Sequence, residues 1–276
     1  MTLYERNTFF KLGILFCSLC TLLLVFASFL TIPSYQNIDE NFHRPNGIFQ
    51  GITGFFMEND YYAVHSSLIL SVLFSFIGII LIFYFFERTS APEILYIAFF
   101  TISLSFEVIR LILPMHFIYN FPSVYVRIAF KILFFARYFG IFSLFAASIC
   151  AAGLDVQKTR NVIFAIFIAV LLIIFGVPID VLSWDTSLNM VNGFSSTFKM
   201  IELTVYLTAM ISFFIAAKTR DSKEYIYVAI GMILALFGRN ILLNTDNWIS
   251  PVFGILLLSF GTLFLCSKLH RIHLWL

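Results

Sequence analysis

The chain has 276 residues, 61% of them hydrophobic and 12% charged, with a net charge of +2. A soluble domain cannot hide that much apolar surface, so the class is an integral membrane protein with lipid as its main solvent. The small net charge and the lack of a nucleic-acid motif give no reason to expect a nucleic-acid partner.

Crossing the hydrocarbon core takes ~20 apolar residues. Helices are expected throughout, because the backbone must satisfy its own hydrogen bonds there. The first apolar run, 12–32, follows Arg6 and Lys11. It is long for a signal-peptide core and has no clean A-x-A site, so it reads as an uncleaved anchor. An outer loop, 33–62, comes next. Its centre, GIFQGITGFF, carries Gly47, Gly51 and Gly54 at helical spacing. That predicts a short interfacial or lid helix over Gly47 to Phe56, too short to span.

Seven further runs follow at 63–86, 94–119, 126–152, 161–183, 198–217, 225–245 and 250–268. The predicted fold is all-α, one polytopic transmembrane bundle of about eight spans. Seven spans and a half-helix is the alternative, because Pro251 opens the last run after a short turn. One set of short loops and ends holds Arg6, Lys11, Arg88, Lys158, Arg160, Lys218, Arg220, Lys223, Lys268 and Arg271; the opposite loops hold Arg44. By the positive-inside rule both termini are cytoplasmic, and the expected location is the plasma or inner membrane. Trp184 and Trp248, with Tyr61, Tyr62 and Tyr119, fall at the predicted outer ends as an aromatic belt.

The charges inside the spans are the main functional signal, because an ionisable group in hydrocarbon is costly. The third span reads FEVIRLILPMH, with Glu107 and Arg110 three residues apart. The fourth, RIAFKILFFARYFG, carries Arg127, Lys131, Arg137 and Tyr138. Asp180, Lys199 and Glu202 sit near the outer ends of the fifth and sixth spans, and the seventh carries Arg239, Asn240 and Asn244 in FGRNILLN. Counted at 1.5 Å per residue, Glu107 and Arg239 both lie ~20 Å from the inner end. All these residues fall between mid-membrane and the outer surface. The cations outnumber the carboxylates, and Arg137 and Arg239 lie too deep to snorkel easily.

Three readings follow. The first is an outward-opening polar site for an anionic small molecule or lipid headgroup, since arginine's fork suits carboxylate and phosphate. Its residues are Glu107, Arg110, Lys131, Arg137, Tyr138, Glu202, Arg239, Asn240 and Asn244. A sensor, receptor-like or transport subunit of this kind would touch membrane lipids. It would signal through a protein partner in the membrane or at the cytoplasmic face. The second is a structural or assembly subunit in which Glu107 only neutralises Arg110 or Arg239. The third is a lipid-modifying enzyme using Glu107 or Asp180 as a base, though a non-enzymatic role is favoured. No Walker loop, HExxH or G-x-S-x-G is present in the sequence. No cofactor is expected.

Overall fold

The computed structural model describes residues 3–32, 60–87, 89, 91–153, 159–176, 185–190 and 194–274. Every element among them is helical: α1 (Leu3–Thr31), α2 (Tyr61–Phe86), α3 (Glu93–Ser103), a 3₁₀ segment (Leu104–Leu111), α4 (Ile112–Tyr119), α5 (Ser123–Ala152), α6 (Thr159–Phe175), α7 (Ser195–Thr219), α8 (Glu224–Leu243) and α9 (Ile249–Leu274). Seven helices are long and apolar enough to cross a membrane, counting α3, the 3₁₀ segment and α4 as one. The predicted helix over Gly47 to Phe56, Asp180 and Trp184 lie outside the described residues.

Local chemistry sets the helix ends. The Asp60 carboxylate accepts from the Tyr62 N–H at 2.9 Å and caps the start of α2. At the far end, the Arg6 side chain donates to the carbonyls of Phe86 (2.7 Å) and Glu87 (3.2 Å), and also to that of Thr89. The last carbonyls of α2, which have no partner within the helix, are thus satisfied. Arg6, expected only to set orientation, therefore also ties α1 to α2. It is the reason α1 extends well before residue 12. Gly153 ends α5 at φ 123°, a conformation a side chain would strain.

Two layers of hydrogen bonds mark the ends of the bundle. At one end the Asp60 N–H donates to the Asp246 carbonyl at 2.9 Å, Trp248 donates to the Asp60 carboxylate at 2.8 Å, and the Thr186 hydroxyl meets Asp246 at 2.7 Å. At the other end Arg6 holds the end of α2, the His270 ring packs edge-on against Phe86 at 5.3 Å, and the Tyr96 hydroxyl donates to the Thr159 carbonyl at 3.3 Å. Residues near both ends of the described chain, Arg6 and His270, thus share one end of the bundle.

The third and fourth long helices form the centre, with 72% and 67% of their most apolar stretches buried against 17% for α7. The closest helix pair is α8 with α9. A Cβ on Gly238 would overlap the Leu258 backbone, and one on Gly261 would overlap that of Ala235. Gly231 and Gly254 sit on the same seam. Small residues let the two backbones touch, which is how helices gain packing in a solvent as apolar as their side chains.

Candidate functional site

The site is built on the 3₁₀ segment. Two serines precede or open the tight winding: Ser103 donates to the Phe100 carbonyl and Ser105 to that of Ile102, both at 2.7 Å. Such back-bonding bends helices. Pro114 follows the segment. It has no N–H to offer the Arg110 carbonyl four residues back, and its ring crowds that carbonyl. Three residues per turn then place Leu104, Glu107 and Arg110 on one face. All three are buried, Glu107 at 1% exposure and Arg110 at 0%.

Helix α5 approaches this face because Gly140 has no side chain; a Cβ there would overlap the Ser103 hydroxyl. One turn away, Arg137 meets Glu107 in a bidentate pair, Nε to Oε1 at 2.8 Å and Nη2 to Oε2 at 2.6 Å. This geometry gives the stronger class of ion pair. Arg110 adds a looser contact to the same carboxylate at 3.7 Å. The pairing of Glu107 with Arg110 is therefore present. Its shortest partner is Arg137, which was expected in the site but not in this pair. Arg239 makes no ion pair with Glu107 among the described residues. Its Nη2 donates to the Arg137 carbonyl and its Nη1 to the Tyr206 hydroxyl of α7, both at 3.3 Å. Its Nε has no hydrogen-bond partner among the described residues.

A segment between α6 and α7 closes the cluster. Asn189 accepts from Arg137 at 2.8 Å and donates to the Leu243 carbonyl at 2.8 Å and to Ser187 at 3.0 Å. It ties α5 to the end of α8. Glu202 is half-buried and interacts electrostatically with Arg137, Tyr138 and Tyr206. Tyr138 is buried with its ring 5.8 Å from that of Phe198.

The other expected residues stand apart. Lys131 is half-buried, with no ion pair among the described residues. Asn244 is exposed and donates to the Asn240 carbonyl at 2.9 Å, finishing its own helix. Asn240 contributes its side chain toward Tyr206. At this cluster Glu107, Arg110, Arg137 and Arg239 are all at 8% exposure or less. They are enclosed because Glu107, Tyr206 and Asn189 fold the guanidinium groups inward.

Asn189 and Tyr206 are absent from the expected site. Asn189 sits in a short non-helical segment with no periodicity to flag it. Tyr206 lies four residues after Glu202, on the same face of one helix, and that spacing is readable. Among the described residues no group of His, Cys, Asp and Glu is arranged to hold a metal ion. What the cluster offers chemically is positive charge: three buried guanidinium groups around one buried carboxylate. No protein-family model, curated protein or solved structure matches the chain.

Proposed function

We propose that this multi-pass membrane protein binds an anionic group, the carboxylate or phosphate of a small molecule or lipid headgroup, among Arg110, Arg137 and Arg239. It would act as a sensor, receptor-like or transport subunit in the plasma or inner membrane. One observation carries the reading: three arginines that are 0%, 8% and 1% exposed gather around the enclosed carboxylate of Glu107, and the half-buried Glu202 near Arg137 adds one further negative charge, fewer than the cations. Arginine does not shed its proton, and an uncompensated charge in the membrane interior costs several kcal/mol. An anion would remove that cost. Arg239 is held by two 3.3 Å hydrogen bonds to neutral oxygens, and its Nε has no hydrogen-bond partner among the described residues.

The proposed topology is eight crossings with cytoplasmic termini. Thr159, at the start of α6, bonds to Tyr96 at one end of the bundle, whereas Thr186 bonds to Asp246 at the other. Both facts support a crossing between residues 159 and 186.

The test uses purified protein and reads thermal stability against inorganic phosphate and acetate, with chloride at equal ionic strength as control. One of the two anions is expected to raise the melting temperature in a saturable way. A charge-assisted hydrogen bond contributes ~1.5–3 kcal/mol, so Arg239→Gln should weaken that binding by about tenfold or more. A response to neither anion, or an equal response in Arg239→Gln, overturns the proposal. The bidentate Glu107–Arg137 pair favours a second reading, a structural subunit. In that case Glu107→Gln combined with Arg137→Met stays functional.

A further inference from the structure

A groove of about 420 Å³ runs between α2 and α9, walled by Leu73, Ile77, Leu81, Phe85, Ile255 and Leu263. It extends from Leu70 to Phe86 on α2, which is ~24 Å at 1.5 Å per residue. It is a long, narrow slot rather than a seat for a helix ~10 Å across. An elongated apolar slot of this kind suits an extended hydrocarbon chain. The two threonine hydroxyls along its wall are satisfied within their own helices: Thr262 donates to the Leu258 carbonyl at 2.8 Å and Thr101 to that of Ile97 at 2.9 Å.

Its end at Phe86 has a different character. The His270 ring lies against Phe86 at 5.3 Å, and the His270 Nδ1 is buried without a hydrogen-bond partner. His270 continues the groove-facing line of α9, four residues beyond Cys266. The Phe86 carbonyl accepts from Arg6 at 2.7 Å. Arg6 is 6% exposed, its Nε has no hydrogen-bond partner among the described residues, and its other guanidinium nitrogens donate to three backbone carbonyls and the Asn7 amide oxygen. All of them are neutral, so a buried positive charge stands at the mouth of an apolar slot.

We infer that this groove holds one acyl chain of an anionic glycerophospholipid, whose phosphate lies at the end marked by Arg6 and His270. The slot takes the tail by shape, Arg6 takes the headgroup by charge, and the unpartnered His270 ring nitrogen adds a hydrogen bond. The inference is independent of the arginine cluster around Glu107.

Native mass spectrometry of the detergent-purified protein tests it, followed by exchange into nanodiscs of phosphatidylglycerol or phosphatidylcholine. The wild-type protein is expected to retain one phospholipid and to prefer phosphatidylglycerol by about tenfold. Ser259→Phe, which fills the slot, should lose the retained lipid. His270→Gln should keep a lipid but lose most of the headgroup preference. If Ser259→Phe does not fold, Leu263→Trp at the exposed rim serves the same purpose. Equal retention by wild type and the folded slot-filling variant overturns the inference, as does a wild type indifferent to headgroup charge.

Discussion

At the scale of single residues, the decisive contact is the two-point bond between Glu107 and Arg137, at 2.8 and 2.6 Å with Glu107 fully enclosed. Removing one member of a buried pair strands the other charge and costs ~3–5 kcal/mol. Glu107→Gln and Arg137→Met are each expected to destabilise the bundle by that amount in a thermal or denaturant unfolding assay. The double variant should recover a large part of the loss, though not all, because Arg110 then has lost its 3.7 Å ion-pair contact to the Glu107 carboxylate. The same cycle with Arg110→Met should show weaker coupling. Stronger coupling of Glu107 to Arg239 than to Arg137 would contradict the geometry described here. Asn189→Ala should cost ~1–3 kcal/mol, since it leaves the Leu243 carbonyl and one Arg137 donor without their partner. Of this cluster, the charged members were legible in the sequence because charge in an apolar run stands out. The pairing was not, since depth along a helix is readable from sequence but the facing of one helix toward another is not. Asn189, in an aperiodic segment, gave no signal.

At the scale of elements, span positions follow closely from apolar run length: the run 63–86 becomes Tyr61–Phe86, and 94–119 becomes Glu93–Tyr119. The tight 3₁₀ winding within the latter was not read, although Pro114 and the two serines that favour it are in plain view. The glycine seam of α8 and α9 was also readable, as Gly231 and Gly238 are seven apart and so are Gly254 and Gly261. Its meaning needs the partner helix, because a glycine in an apolar run is otherwise only a weaker helix former. The seam yields a sharp contrast. Alanine favours a helix over glycine by ~1 kcal/mol, yet Gly238→Ala drives a Cβ into the Leu258 backbone. Overpacking of that kind costs ~1–3 kcal/mol, so the variant should melt at a lower temperature than wild type. Gly176→Ala should be close to neutral, because its Cβ would meet nothing nearer than 3.4 Å. Equal melting temperatures for the two variants would mean that α8 and α9 are not in backbone contact.

At the scale of the whole molecule, two independent lines converge on the side each loop faces. Hydrogen bonds gather Asp60, Thr186, Asp246 and Trp248 at one end, and Arg6, Phe86, Tyr96, Thr159 and His270 at the other. Basic residues gather at the second end, where Arg160, Lys218, Arg220, Lys223, Lys268 and Arg271 all lie. On the proposed topology the positive-inside rule assigns that end to the cytoplasm. That topology expects Asp185 to face outward and Ser222 to face the cytoplasm, with α7 the crossing between them. In intact cells a membrane-impermeant maleimide should label Asp185→Cys, and should reach Ser222→Cys only after permeabilisation. Background from native thiols should be low, because Cys17, Cys20 and Cys150 are buried and Cys266 faces the apolar groove. The two sites together also test the short helix α6. If the chain returned to the same side after Thr159, α7 would carry Ser222 outward, and the two labelling patterns would be exchanged. Labelling of Ser222→Cys from outside would thus overturn either the orientation or the crossing at α6. A reversed orientation would also move the arginine cluster into the inner half of the bilayer, where an anion from outside has no short route to it.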